Sequence, residues 1–187
     1  MAMKIKGAVL TSRKTFVEGN FGADAWSMVL RSLSAEDQKF YSGLLLAAGW
    51  YPFEYGDRLD KAIVQVLGRG NYTVFEAIGA QSAKDNLTKL HHNFLAPGDP
   101  QAFLAKTSLI YSFYYNSGRR EYQPTGPNSG VMTTYDADTF SEADCYKIIG
   151  WHKEALEMCG AYDITIRHDI CRAKGGPYCQ YTLSWKI

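Results

Sequence analysis

The chain has 187 residues, 46% of them hydrophobic and 21% charged, with a formal net charge of +1. That length can bury a sizeable core and predicts one domain over 1–187. The near-neutral balance, with no basic stripe, excludes a nucleic-acid binder, and no apolar run reaches the length of a membrane span.

Apolar periodicity places helices through the first part of the chain. Gly7 to Gly19 predicts a first helix with Val9, Leu10, Phe16 and Val17 inward, stopped at Gly19-Asn20. Ala23 to Leu33 predicts a second, with Trp26, Val29, Leu30 and Leu33 on one face. Ser34, with Asp37 three residues on, fits the N-cap of a third, which runs to about Ala48 and takes in Leu44, Leu45 and Leu46. Pro52 breaks the pattern, lacking an amide donor and holding Tyr51 extended. Asp57 is placed to cap a fourth helix through Leu67, and a fifth covers Tyr72 to Phe94 with Val74, Phe75, Ile78, Leu87, Leu90 and Phe94 as its apolar positions. Asp99-Pro100 pairs a cap with a first-turn proline and opens a sixth helix to about Tyr114.

From Gly118 the grammar changes. Gly and Pro cluster between Pro124 and Gly130, flanked by Tyr122 and by Val131 to Tyr135, which predicts a hairpin. Ser141 opens a long helix to about Gly160. Ile164 to Ile170 alternates, Gly175-Gly176-Pro177 makes a turn, and Tyr178 to Trp185 alternates again. The fold class is therefore α+β: a helical half over about 1–115, then a small antiparallel sheet with a crossing helix over about 116–187.

Nothing at the N-terminus has the three-part form of a signal peptide, which predicts a cytoplasmic protein whose four cysteines are reduced. Cys145, His168, Cys171 and Cys179 supply the donor types and number of a four-coordinate zinc site. Cys171 and Cys179 would meet across the Gly175-Gly176 turn. Cys145 shares the inward face of its helix with Ile148, Ile149, His152, Leu156 and Cys159. Four ligands and no open position describe a structural metal; the alternative is a set of small buried cysteines in a core. Cys159 is left over and reads as core packing. A nucleophile pair of Cys171 with His168 is formally available, but a metal would consume both groups, and no enzyme is predicted.

The stretches Cys145 to Gly150, Met158 to Gly160 and His168 to Cys179 resemble the end of the vinyl-4-reductase domain, found in sensory modules of bacterial aromatic-responsive activators. The resemblance implies zinc on Cys145, Cys171 and Cys179, with His168 standing where that family has an acid. Gly7 to Leu10 and Phe21 to Trp26 resemble the opening of haem-nitric-oxide/oxygen-binding (H-NOX) domains, which share a fold superfamily with the vinyl-4-reductase domain and with vesicle-tethering TRAPP subunits. Asn86 to His91 is similar to the haem-ligand helix of that family, which implies His91 on the iron. Tyr115, Ser117 and Arg119 match its Tyr-x-Ser-x-Arg motif, which implies contacts to the haem propionates.

The aromatic sensors imply another use of the same region. There a histidine and a tryptophan hold a ligand hydroxyl in an apolar pocket. Here His91 or His92 would serve, with Tyr111, Tyr115 and Tyr122 among the available rings and no tryptophan at the corresponding place. Packing of these rings in the core is the alternative. Arg119-Arg120-Glu121 reads as a solvated strand start, and Lys4 and Lys6 as an exposed basic edge.

The expectation is a non-enzymatic sensory or regulatory domain with structural zinc and a small hydrophobic or aromatic ligand between helices and sheet. Binding would shift populations and be read by an unidentified effector protein, and relatives imply a homodimer. A haem-based gas sensor using His91 stands second, and a ligand-free interaction scaffold third.

Overall fold

The computed structural model describes residues 3–89, 91–137 and 141–187. Its first element is not a helix but a short strand, β1 (Lys4–Lys6), paired antiparallel with β2 (Trp50–Pro52). Helix α1 (Gly7–Phe21) follows at once. Its first amide groups have no intrahelical partner. They donate instead to a distant loop: Gly7 N to the Gly49 carbonyl and Ala8 N to the Ala47 carbonyl, both at 2.9 Å. A Cβ at Gly7 would lie 2.1 Å from the Leu46 carbonyl oxygen, so only glycine admits this approach.

That loop explains a correction. Helix α2 (Ala23–Arg31) leads to α3 (Ala35–Ser42), which ends at Ser42 and not near Ala48. Gly43 turns extended, and residues 43–49 leave the helical path to cap α1. Leu44 and Leu46 are exposed, at 85% and 59%, and of the three leucines only Leu45 packs against the core. Ser34 does cap α3, accepting from Asp37 N at 3.1 Å.

Helix α4 (Phe53–Val66) starts directly after Pro52, four residues before the predicted cap Asp57, which instead pairs with Lys61 at 2.7 Å. Helix α5 (Val74–Lys89) is followed by a short 3-10 turn, His92–Phe94; Leu90 lies outside the described residues. The predicted sixth helix is two: α6 (Pro100–Leu104), capped by Asp99, and α7 (Thr107–Tyr114). The break falls at Lys106, whose ammonium is drawn to the Asn93 and Phe94 carbonyls at 3.3 and 3.2 Å.

Strands β3 (Arg119–Gly126) and β4 (Ser129–Tyr135) form the expected hairpin. Helix α8 (Glu142–Met158), capped by Ser141, precedes β5 (Tyr162–Ile170) and β6 (Cys179–Lys186). These four strands make one antiparallel sheet in the order β3-β4-β6-β5. The class is α+β, as expected.

Helices α5 and α8 cross backbone to backbone. A Cβ at Gly79 would sit 2.1 Å from the Lys147 carbonyl oxygen, and one at Gly150 would sit 1.9 Å from that of Glu76. β1 also reaches the sheet half: Ile5 bridges Tyr115, and Lys4 N donates to Asn116 Oδ1 at 2.6 Å. The larger apolar cluster packs the sheet against α8, α5, α7 and β1, while the smaller fills the space between α1, α2, α4 and α5.

Candidate functional site

Where α1, α5, α7, β3 and α8 meet, the helices and the sheet leave a seam. Its walls are apolar and aromatic: Val9, Ile110, Tyr111, Tyr114, Tyr115, Ile148 and Trp151 border a cavity of about 40 Å³. Its floor is polar and buried, with Ser82, Asn86, Arg120, Lys147 and His152.

The charges at the seam are mostly matched. Arg13 makes a two-pronged bond to Asp60, at 2.7 Å from both Nε and Nη2, with both side chains buried. Burial pulls against the charge on Arg13, but Asp60 outweighs it and raises its pKa. Lys147 bonds Asp144 one turn before it, and donates to the Tyr115 hydroxyl at 3.2 Å; that hydroxyl donates to Asp144 Oδ1 at 3.1 Å. Burial pushes Asp144 up, yet Lys147 and then Arg13 and Arg120 bring it below its ordinary value. Lys147 is lowered, chiefly by burial and by Arg13.

Arg120 is the exception. Its Nε donates to Thr134 Oγ1 at 2.9 Å, and its guanidinium lies 4.8 Å from the Tyr111 ring centre. Its Nη2 is buried with no hydrogen-bond partner, as are Tyr114 Oη and His152 Nε2. The other imidazole nitrogen, His152 Nδ1, lies 2.8 Å from the Ile148 carbonyl, which can only accept; Nδ1 therefore carries the proton and Nε2 a lone pair. Burial, with Arg120, lowers the His152 pKa to about 3, so the ring is neutral. A second void of about 10 Å³ lies beside Arg120, bordered by Thr134, Cys145 and Cys179, with room for about one water.

Beyond that void lies the thiol cluster. The ligand atoms of Cys145, His168, Cys171 and Cys179 all fall within 4.8 Å of one another. Cys145 Sγ is 3.8 Å from Cys171 Sγ, and Cys179 Sγ accepts from Arg172 N at 3.4 Å. His168 Nε2 is buried and unpartnered, and its ring stacks on Tyr181 at 4.2 Å. The hydrogen bond from Cys145, with His168 and the Arg172 amide, overcomes burial and lowers the Cys179 thiol to about 4. Cys145, Cys171 and His168 border an open cleft of about 530 Å³. The donor set suits a thiolate-preferring metal ion.

Of the predicted ligand residues, Tyr111 and Tyr115 border the seam cavity. His91 does not: its ring packs edge-on against Phe113 at 4.4 Å and Tyr114 at 5.9 Å. His92 is exposed, and Tyr122 donates to Gln101 Oε1 at 2.7 Å, away from the cavity. The sequence groups Arg120 with its neighbours as a solvated strand start; the structure turns it inward, because alternation along β3 points Arg119 and Glu121 out and Arg120 toward Thr134. Trp151 borders the cavity although no tryptophan was expected there. The sequence places His152 on the inward face of its helix without a role and does not single out Lys147; the signal for both is an ionisable group on the apolar face of α8.

No protein-family model and no curated protein sequence matches the chain. Solved structures do match, over nearly its full length. An H-NOX protein from Shewanella oneidensis in the Fe(II)NO state has a TM-score of 0.73 at 16% identity, covering 98% of this chain and 100% of that one. An unliganded Fe(II) H-NOX protein from K. algicida has a TM-score of 0.74 at 13% identity, covering 98% and 97%. A structure described as probing haem distortion in the H-NOX family has a TM-score of 0.74 at 11% identity, covering 98% and 96%. The fold is that of H-NOX domains.

These likenesses correct the cofactor expectation. The sequence favours zinc over haem, but the solved proteins of this fold are described by their iron and haem. The residues of this chain can be tested against that group. Ligand pockets are on the order of 300–1,000 Å³, and the seam cavity has about 40 Å³. The Tyr115 hydroxyl is held by Asp144 and Lys147, and Arg119 lies outside, paired with Glu121 and Asp136. Ser117 Oγ is buried without a partner, while the Ser117 carbonyl accepts from Tyr111. As arranged, these residues do not fit a haem.

Proposed function

We propose that this chain is a non-enzymatic sensory domain of the H-NOX kind. It takes a small molecule at the seam between helices and sheet and passes the change to a partner protein, with self-association as the simplest route of output. The seam cavity carries this reading: five elements converge on it, its walls are aromatic, and residues that border it carry buried polar atoms without partners. Apolar walls with a few directed polar groups are the ordinary form of a ligand site. An occupant that favours one packing of these elements shifts the population toward it. Cys145, His168, Cys171 and Cys179 are assigned to hold a metal ion beside the seam, since their ligand atoms lie within 4.8 Å of one another.

A second reading is favoured by the fold comparisons: a haem-based gas sensor with His91 on the iron and Tyr115, Ser117 and Arg119 on the propionates. It requires the rings of α7 to leave the seam. Absorbance of the purified protein, followed by haemin titration, separates the two. A Soret band that disappears in His91→Ala establishes the haem reading. Colourless protein that takes up no haemin, but whose Trp151 emission responds to a small ligand, establishes a haem-free sensor. Protein that responds to neither overturns both.

A further inference from the structure

The seam contains one more cation than it can neutralise. Arg13 and Lys147 are answered by Asp60 and Asp144, whereas among the described residues no carboxylate pairs with Arg120. Arg120 is 4% exposed, and a guanidinium is a permanent cation. A buried charge without a partner is costly, and a hydroxyl and a ring face compensate it only in part. Waters would satisfy the neighbouring hydroxyl and imidazole, and the cavity has room for about three of them, but they would leave the charge.

The three unpartnered atoms differ in kind, and the difference defines an occupant. Arg120 Nη2 can only donate. His152 Nε2 can only accept, because Nδ1 holds the proton against the Ile148 carbonyl. Tyr114 Oη can do either. A simple carboxylate would answer Arg120 and Tyr114 and leave His152 empty. A neutral phenol would answer His152 and leave Arg120 uncompensated. An anion with acceptor oxygens and one hydroxyl of its own answers all three. The cavity, at about 40 Å³, restricts it to a few heavy atoms.

We infer that the seam is a binding site for a small oxyanion that also carries a hydroxyl, of the hydrogencarbonate or short 2-hydroxycarboxylate class. The anionic oxygens lie on Arg120 and Tyr114, and the hydroxyl donates to His152 Nε2. The inference rests on the sensory reading of the seam and names its ligand class.

Trp151 borders the cavity and packs edge-on against His152 at 5.0 Å, so its emission reports occupancy. The full chain is titrated with hydrogencarbonate, glycolate, acetate, chloride and phenol, read by tryptophan emission and by thermal midpoint. Hydrogencarbonate or glycolate is expected to bind about 10-fold more tightly than acetate, with chloride weaker still. Arg120→Met abolishes the response to every anion. Arg120→Lys, which keeps the charge and loses the fork, weakens it and carries the test if the methionine variant does not fold. His152→Phe retains anion binding and loses the preference for glycolate over acetate. The inference fails if no anion binds at millimolar concentration, if binding survives Arg120→Met, or if the hydroxyl preference survives His152→Phe. A response to phenol or haemin alone removes the oxyanion class and leaves the sensory reading; no response to any probe removes both.

Discussion

The seam cavity and the thiol cluster meet at Arg120 and share helix α8, yet they are assembled in opposite ways. The cluster draws its four ligands from residues 145–179, on one helix and the neighbouring strands, and it borders an open cleft of about 530 Å³. The seam draws on five elements from Val9 to His152 and leaves a cavity of about 40 Å³. In the cluster the four ligand atoms lie within 4.8 Å of one another, so the ion that would take the thiols would also answer His168 Nε2, its unpartnered atom. In the seam the ion pairs are complete but a cation, a hydroxyl and a ring nitrogen remain unanswered. A local, self-consistent cluster reads as support, whereas a long-range site with unmet demands reads as the place where something binds.

The sharpest break of that contrast sets two buried arginines against each other. Asp60→Asn leaves Arg13 buried without its carboxylate and is expected to cost about 3–5 kcal/mol in denaturant unfolding. Arg120→Met removes a cation that forms no ion pair among the described residues and only adds to the field at Asp144, so the ligand-free protein is expected to be within about 1 kcal/mol of the parent or more stable. Equal losses in the two variants would mean that Arg120 is already compensated, and the distinction between matched and unmatched charge would collapse.

The same contrast decides what could be read from the chain. Cysteine and histidine announce their chemistry wherever they stand, so Cys145, His168, Cys171 and Cys179 could be grouped before any fold was known. The antiparallel sheet, the hairpin at 119–135 and most helix starts were equally legible, because alternation and caps are local. Arg120 was hidden by its exposed neighbours; only the register opposite Thr134 turns it inward. The run Leu44 to Leu46 misled for a related reason. Its periodicity favours helix, but the start of α1 needs acceptors for its free amides, and residues 43–49 supply them. Distant demands of this kind leave no mark in a window of sequence.

A smaller effect is expected from the cluster side. The double variant Cys171→Ser/Cys179→Ser is predicted to fall from about one equivalent of bound metal to none by elemental analysis, because metal binding and folding are coupled. Its stability should drop by about 2 kcal/mol, while the Trp151 response to anions persists. If that response vanished with the metal, the cluster would belong to the binding site and not to its support.

The smallest effect tests the seam by protonation alone. Unfolded, His152 takes up a proton near the ordinary histidine value of about 6.5. Folded, burial and the facing charge of Arg120 hold it to about 3. A depressed folded value means that the unfolded state binds the extra proton between the two, so stability is complete above about pH 6.5 and declines as the pH falls through that window. The loss attributable to one histidine is about 1 kcal/mol between pH 6.5 and 5.5. His91, also lowered by burial, adds a contribution of the same sign, so each variant is measured singly and together. His152→Phe should flatten part of the slope in urea unfolding across this range, where Asp144, whose folded value lies below that of an ordinary carboxylate, does not yet titrate. An unchanged slope in His152→Phe would show that the ring already shares its proton with an occupant or with water, and that Nε2 is not the free acceptor on which the hydroxyl preference depends.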